Sequence, residues 1–232
     1  MEETIPVFQF EIRYNHILNF SQIARKMLAP YFRLAQSFKI DKQDTLEERI
    51  TLQFDDDNYQ ISVDWDRIII KGNNVLNPFA ENNSPVEIPF FTILNKVKEL
   101  EGFKSVLNLV FVALYVKELD LKKEDLFTKF AETFLNPRTE SIFSDSNDLA
   151  VVLEKKNKDQ ATTITFGPYI GTEDLSKRAL KPLNIGDLSY ADFTGVMMEY
   201  KKGYTVNNPT FSDFQKLAKE SNKIFKRTWK ML

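Results

Sequence analysis

The run Asp55-Asp56-Asp57-Asn58, with Asp64 and Asp66 close behind, is the most acidic stretch of the sequence. Oxygen donors at that density suit Mg²⁺ or Ca²⁺. An EF-hand loop starting at Asp55 needs glycine at its sixth place and glutamate at its twelfth, but Gln60 and Asp66 stand there. That pattern fails. Asp and Asn also satisfy their own backbone in tight turns, so the run reads first as a hairpin turn. A second group is Glu154-Lys155-Lys156 with Asp145 and Asp148 upstream. An acid followed by Glu-x-Lys on a strand is the order used by metal-dependent nucleases, in which carboxylates hold Mg²⁺ and the lysine helps to activate water. Here the acid-to-Glu spacing is short, and the lysines run on through Asn157 to Lys158 as at a solvated hairpin tip.

His16 is the only histidine and there is no cysteine. A multi-histidine metal site, a thiolate nucleophile and a Cys-type zinc site are therefore excluded. No G-x-S-x-G, G-x-G-x-x-G or G-x-x-x-x-G-K-[ST] occurs, so the nucleophile elbow and both phosphate-binding signatures are missing. His16 lies just past the first strand and reads as an edge residue without catalytic duty. No catalytic, metal-binding or cofactor-binding residue is assigned, no cofactor is expected, and the chain reads as a non-enzyme.

The C-terminal stretch FQKLAKESNKIFKRTWKML poses a different question. Lys216, Lys219, Lys223, Arg227 and Lys230 recur every three or four residues, with Lys226 beside them, opposite Phe214, Leu217, Ile224, Phe225 and Thr228. Residues 209–232 carry six basic and two acidic side chains, in a protein whose formal charge is −2. Three accounts fit. Lysines cover apolar surface while their ends stay in water, and basic residues near a helix C-terminus complement its dipole. The stripe can also face an acidic protein surface, given 11 basic and 16 acidic groups in the first 102 residues. Or it holds nucleic acid through phosphate contacts.

The elements that must position these groups follow from periodicity. The apolar content of 43% suffices for a sizeable core, and Gly and Pro are scarce. Residues 6–14 alternate as a half-buried strand. Residues 19–38 show a helical rhythm, with Pro30 kinking or dividing it. EERITLQF, NYQISVDW and DRIIIKG read as an antiparallel meander. Residues 88–102 form a helix with Pro89 in its first turn and Gly102 as its stop. Residues 103–119 are a continuous apolar strand, expected at the centre of the sheet. A helix over 122–135 stops at Asn136-Pro137. A hairpin around Asn157–Gln160 and a polar stretch (171–188) precede a strand over 192–206. The last helix begins at Asn208-Pro209-Thr210. The longest apolar run, 106–116, is too short to span a membrane, and MEETIPVF lacks the order of a signal peptide, so a cytoplasmic location is expected.

Each half reads strand, helix, three strands, helix. A shift of 103 residues sets Phe8 over Phe111, Ile12 over Tyr115 and Met27 over Phe130. That is a repeat of pattern without identity, and other α+β chains can be divided the same way. The expected fold is α+β: a mainly antiparallel curved sheet with helices on one face, as a single domain over 1–232 with two similar β-α-β-β-β-α halves, 1–102 and 103–232.

FEIRYN (10–15), VALYVKEL (112–119) and FSDFQKLAKESNKIFKRTWK (211–230) together resemble a sporadically distributed family of bacterial proteins of similar size. Ala113-Leu114 stand where that family carries a more charged stretch. The resemblance implies an α+β fold, a bacterial or mobile-element origin and no assigned reaction. The leading functional expectation is an interaction or assembly protein acting through a protein partner or homo-oligomer, with exposed Phe and Tyr as anchors. A nucleic-acid-binding factor using the terminal stripe and a metal-dependent hydrolase are the alternatives.

Overall fold

Alternation in the first strand sends Phe8, Phe10, Ile12 and Tyr14 to one side and Gln9, Glu11 and Arg13 to the other. Every later element is arranged around that division. The structure is a computed structural model and describes residues 3–54, 58–73, 75–136, 149–170 and 194–232. The strands are β1 (Glu3–Tyr14), β2 (Ser37–Asp41), β3 (Arg49–Phe54), β4 (Tyr59–Asp64), β5 (Arg67–Gly72), β6 (Val106–Glu118), β7 (Val151–Lys156), β8 (Gln160–Ile170) and β9 (Thr194–Tyr204). The helices are α1 (Phe20–Phe32), the single turn α2 (Leu76–Phe79), α3 (Phe91–Lys98), α4 (Lys123–Phe134) and α5 (Phe211–Thr228).

Among the described residues the strands make one nine-stranded antiparallel sheet in the order β2-β3-β4-β5-β1-β6-β9-β8-β7. The α+β class, the curved antiparallel sheet and the central place of residues 106–118 are as expected. β1 and β6 meet at the middle, with Phe10 opposite Phe111. β5 flanks β1 and β9 flanks β6, so the two runs of strands spread outwards from that seam in matching order. One apolar core joins the inner face of the sheet to α1, α3, α4 and α5. Its largest members are aromatic, among them Tyr14, Tyr115, Tyr200, Phe8, Phe10, Phe90, Phe111, Phe130 and Phe214. The high Phe content therefore fills the interior. Of the described Phe and Tyr residues, Phe38 alone ranks among the large exposed apolar side chains.

A second correction concerns residues 19–38. The helix ends at Phe32, with Pro30 inside its last turn, and Ser37–Asp41 form a strand against β3. The first run accordingly holds four strands after its helix, not three. Leu34 and Phe38 keep the i, i+4 spacing of a helix, but both are exposed, and Phe38 stacks on Phe32 with ring centres 4.7 Å apart. Ladder pairing of Phe38 with Leu52 and Ile40 with Ile50 outweighs the weak helical periodicity. The other end of the meander needs a glycine. A Cβ at Gly72 would lie 2.4 Å from the Phe8 ring, its cross-strand neighbour. Gly102 sits at φ +92, where L residues are strained; it lies in the turn beyond α3, which ends at Lys98 and not at Gly102 as expected.

The last helix is fixed from both ends. Thr210 and Asp213 form a reciprocal capping box, with the Thr210 backbone N–H donating to Asp213 Oδ2 at 2.8 Å. Phe214 then enters the seam, its ring centre 5.2 Å from Phe10, 5.7 Å from Phe8 and 5.9 Å from Phe111. Further along, Ser221 and Tyr115 share a buried hydroxyl hydrogen bond of 2.5 Å. Phe214→Ala is expected to cost about 3–5 kcal/mol in urea unfolding, against less than about 1 kcal/mol for Phe38→Ala at the exposed edge. Equal costs would show that the seam is not the keystone of the core.

Candidate functional site

Two groups of charged residues can carry function. The first lies on the face of the sheet opposite the described helices, where β1, β3, β4 and β5 place polar positions side by side. Glu11, at the middle of β1, is buried. It accepts hydrogen bonds from Arg13 Nε (2.5 Å), Gln9 Nε2 (2.9 Å) and Arg67 Nη1 (3.3 Å). One strand further, Arg49 donates to Asp64 Oδ2 through Nε at 3.0 Å and Nη2 at 2.9 Å. Arg67 grips Asp66 with two parallel bonds, Nε to Oδ1 at 2.7 Å and Nη2 to Oδ2 at 3.0 Å. Asp64 Oδ1 also accepts the backbone N–H of Arg67 at 3.1 Å, which folds the corner between β4 and β5. The Tyr14 hydroxyl lies below that corner, 2.7 Å from the Asp64 carbonyl and 2.9 Å from that of Arg67.

Of these groups, Arg49, Asp64, Asp66 and Arg67 border a cleft of about 590 Å³ that also takes in Lys42 and Trp65. Burial and the neighbouring Asp66 carboxylate push the Asp64 carboxyl up to about 6, against the pull of Arg49. Burial acts on Asp66 in the same sense. There the Arg67 hydrogen bonds and charge, together with the hydrogen bond to Asp64, outweigh it, and the Asp66 pKa falls below the ordinary value. Burial, aided by Asp64 and Asp66, raises the Tyr14 phenol, and burial lowers the Lys71 ammonium. His16 is exposed beside the cleft and stacks on Trp65, ring centres 4.1 Å apart.

Chemically, this arrangement is a clamp. The carboxylates of Asp64 and Asp66, read above as metal-ligand candidates, are engaged by Arg49 and Arg67. Among the described residues no three His, Asp or Glu side chains are placed to hold a metal ion. Asp55, Asp56 and Asp57 lie outside the described residues, as do Asp145, Asp148 and the polar stretch 171–188. Glu154, Lys155 and Lys156 are exposed along β7. Missing from the sequence reading was the Glu11–Arg13–Arg67 contact. Its signal was legible: Gln9, Glu11 and Arg13 alternate with the aromatics of β1, so they mark an outward polar face that needs partners on the strand beside it.

The second group is the outer face of α5. Lys216, Lys219, Lys223, Lys226, Arg227 and Lys230 are all exposed there, as the helical spacing requires, while Phe214, Leu217, Ala218, Ser221 and Phe225 are buried. Glu220 turns to the flank and accepts a hydrogen bond from Lys202 at 2.7 Å. Among the described residues no helix is long and apolar enough to cross a membrane.

The raised Asp64 pKa carries a testable consequence. The folded chain holds that proton more tightly than the unfolded chain does. Its contribution to stability is complete below the ordinary value of 3.8 and is lost as pH rises through about 6. Across that window the loss is on the order of 2–3 kcal/mol. Asp64→Asn should flatten this segment of a stability-versus-pH curve measured by urea unfolding. An unchanged slope would show that Asp64 titrates normally.

No family model and no curated protein matches the chain. The resemblance drawn from residues 10–15, 112–119 and 211–230 therefore rests on those segments alone.

Proposed function

We propose that this chain is a non-enzymatic interaction protein that associates with a second copy of itself through the free edge of its sheet. The observation that carries this reading is the state of β7. It closes one end of the sheet and, among the described residues, pairs only with β8. Val152 and Leu153, on opposite faces of that strand, are each 57% exposed. An edge strand with exposed aliphatic side chains is a template for further strand pairing. β2, the opposite edge, exposes Phe38 and differs in its charges. Lys39 and Asp41 form an ion pair of 2.7 Å along it, and Lys42 at φ +51 turns the chain away.

An isologous contact needs one patch that complements itself. With a two-fold axis at Leu153, antiparallel pairing of β7 with its copy sets the two Leu153 side chains against each other on the helix-bearing face. On the other face, Val152 meets the aliphatic stem of Glu154 of the copy. Cross-strand pairs of this kind contribute about 0.2–1 kcal/mol each, added to the ladder hydrogen bonds. The association is therefore expected to be modest and concentration-dependent. The anchors are aliphatic, since the aromatics are spent on the core.

Light scattering after size exclusion, at about 5 and then about 100 µM, tests the proposal; a shift from monomer towards dimer is expected. Val152→Thr with Leu153→Lys should hold the chain monomeric at both concentrations while changing stability by no more than about 0.5–1 kcal/mol, as for other surface positions. A wild-type chain that is monomeric throughout would end this reading, and so would a variant that still dimerises.

A further inference from the structure

We infer that the outer face of α5 binds the phosphate backbone of nucleic acid. The inference is independent of the sheet edge and concerns a different surface. Along α5 and the turn that follows it, the exposed positions are Ser212, Met231 and six cations, with no acidic residue among them. On α4 the exposed charged residues are Glu124, Asp125, Lys129 and Glu132, and on α3 Lys96 is paired with Glu99 at 3.0 Å. α5 presents six exposed cations, where α1 and α3 present one each, Lys26 and Lys96, and both of its own carboxylates are turned to other work. Asp213 closes the capping box and Glu220 meets Lys202.

The chemistry of that face selects among polyanions. A protein partner is held at buried aromatic or aliphatic anchors ringed by polar groups. Of the eight exposed positions only Met231 is apolar, so the face offers charge without anchors. A membrane-surface helix must bury its apolar face among lipid chains. Phe214, Leu217 and Phe225 are already enclosed in the protein core and cannot be given to lipid. Binding a phosphate backbone needs neither anchors nor a free apolar face; it needs cations in a row, whose contacts release condensed counterions. From Lys216 to Lys230 the helix rises about 21 Å, which matches about six base pairs of duplex. Five of the six cations are lysines, which meet phosphates as point charges and do not provide the bidentate fork that reads a base edge. The expected binding is therefore blind to sequence and steep in salt.

Fluorescence anisotropy with a labelled 20-base-pair duplex of random sequence and a 20-nucleotide single strand, from 50 to 200 mM salt, tests this. The expected slope of log affinity against log salt is about −3 to −5, a loss on the order of 10²- to 10³-fold over that range. Lys219→Glu with Lys223→Glu should weaken binding at least about tenfold at 50 mM. Lys26→Glu with Lys129→Glu, an equal charge change on α1 and α4, should weaken it by less than about threefold. Melting curves of both variants should match the parent, since all four lysines are exposed. The proposal is overturned by absence of binding at 50 mM, by equal losses in the two variants, or by tighter retention on phosphatidylserine vesicles than on either oligonucleotide.

Discussion

Phe214 lies where the two runs of strands meet. Its ring touches Phe8 and Phe10 from β1 and Phe111 from β6, the two strands paired at the middle of the sheet. One side chain from the end of the sequence thus covers a seam between residues about a hundred positions apart. Aromatic groups packed edge to face in this way add to the free energy of their burial. The orientation of α5 follows from it. Once Phe214, Leu217 and Phe225 face the sheet, the 3.6-residue period leaves Lys216, Lys219 and Lys223 no direction but outward.

The outer face of the sheet is constrained in a different way. Glu11, Asp64 and their arginines sit on strands whose alternate residues are core aromatics or aliphatics. A slip of one residue between β1 and β5 would carry Glu11 into the apolar core and Phe10 out of it. A buried ion pair contributes little net stability by itself, because desolvation of both charges offsets their attraction. Removing one partner costs much more, since the other is left buried without compensation. The network thus makes the native register far preferable to its neighbours. Arg25 ties α1 to the loop before β3 in the same manner, with Nη2 2.7 Å from buried Glu48 and 2.7 Å from Asp44.

Much of this fold was legible along the chain because the strong signals were periodic. Alternation in 6–14, the unbroken apolar run of 106–116 and the capping residues before α5 each depend on local geometry that a sequence displays. β2 was hidden because five residues with a helix-like i, i+4 apolar pair gave the wrong period. Only pairing with β3, a long-range fact, settles it. Composition does not distinguish an interior Phe from an anchor at an interface; only packing shows that most of the described aromatics are interior. The cationic face of α5 was readable residue by residue. What sequence could not give was its purity, because which acidic residues share the exposed surface depends on how Asp213 and Glu220 are turned. The Asp64–Arg49 pairing likewise needs the register of β3 with β4, in which those two residues stand opposite each other.

The most direct measurement of whether α5 is clamped across the seam is native-state hydrogen exchange, residue by residue. The amides of Leu217, Ala218 and Phe225 should be protected to the same degree as those of Phe10 and Phe111, because the helix can leave only when the core opens. Exchange in α5 that is faster than in α4, while β1 and β6 stay protected, would contradict this account. It would mean that the last helix rests on the sheet as a peripheral element and that its cationic face has no fixed place.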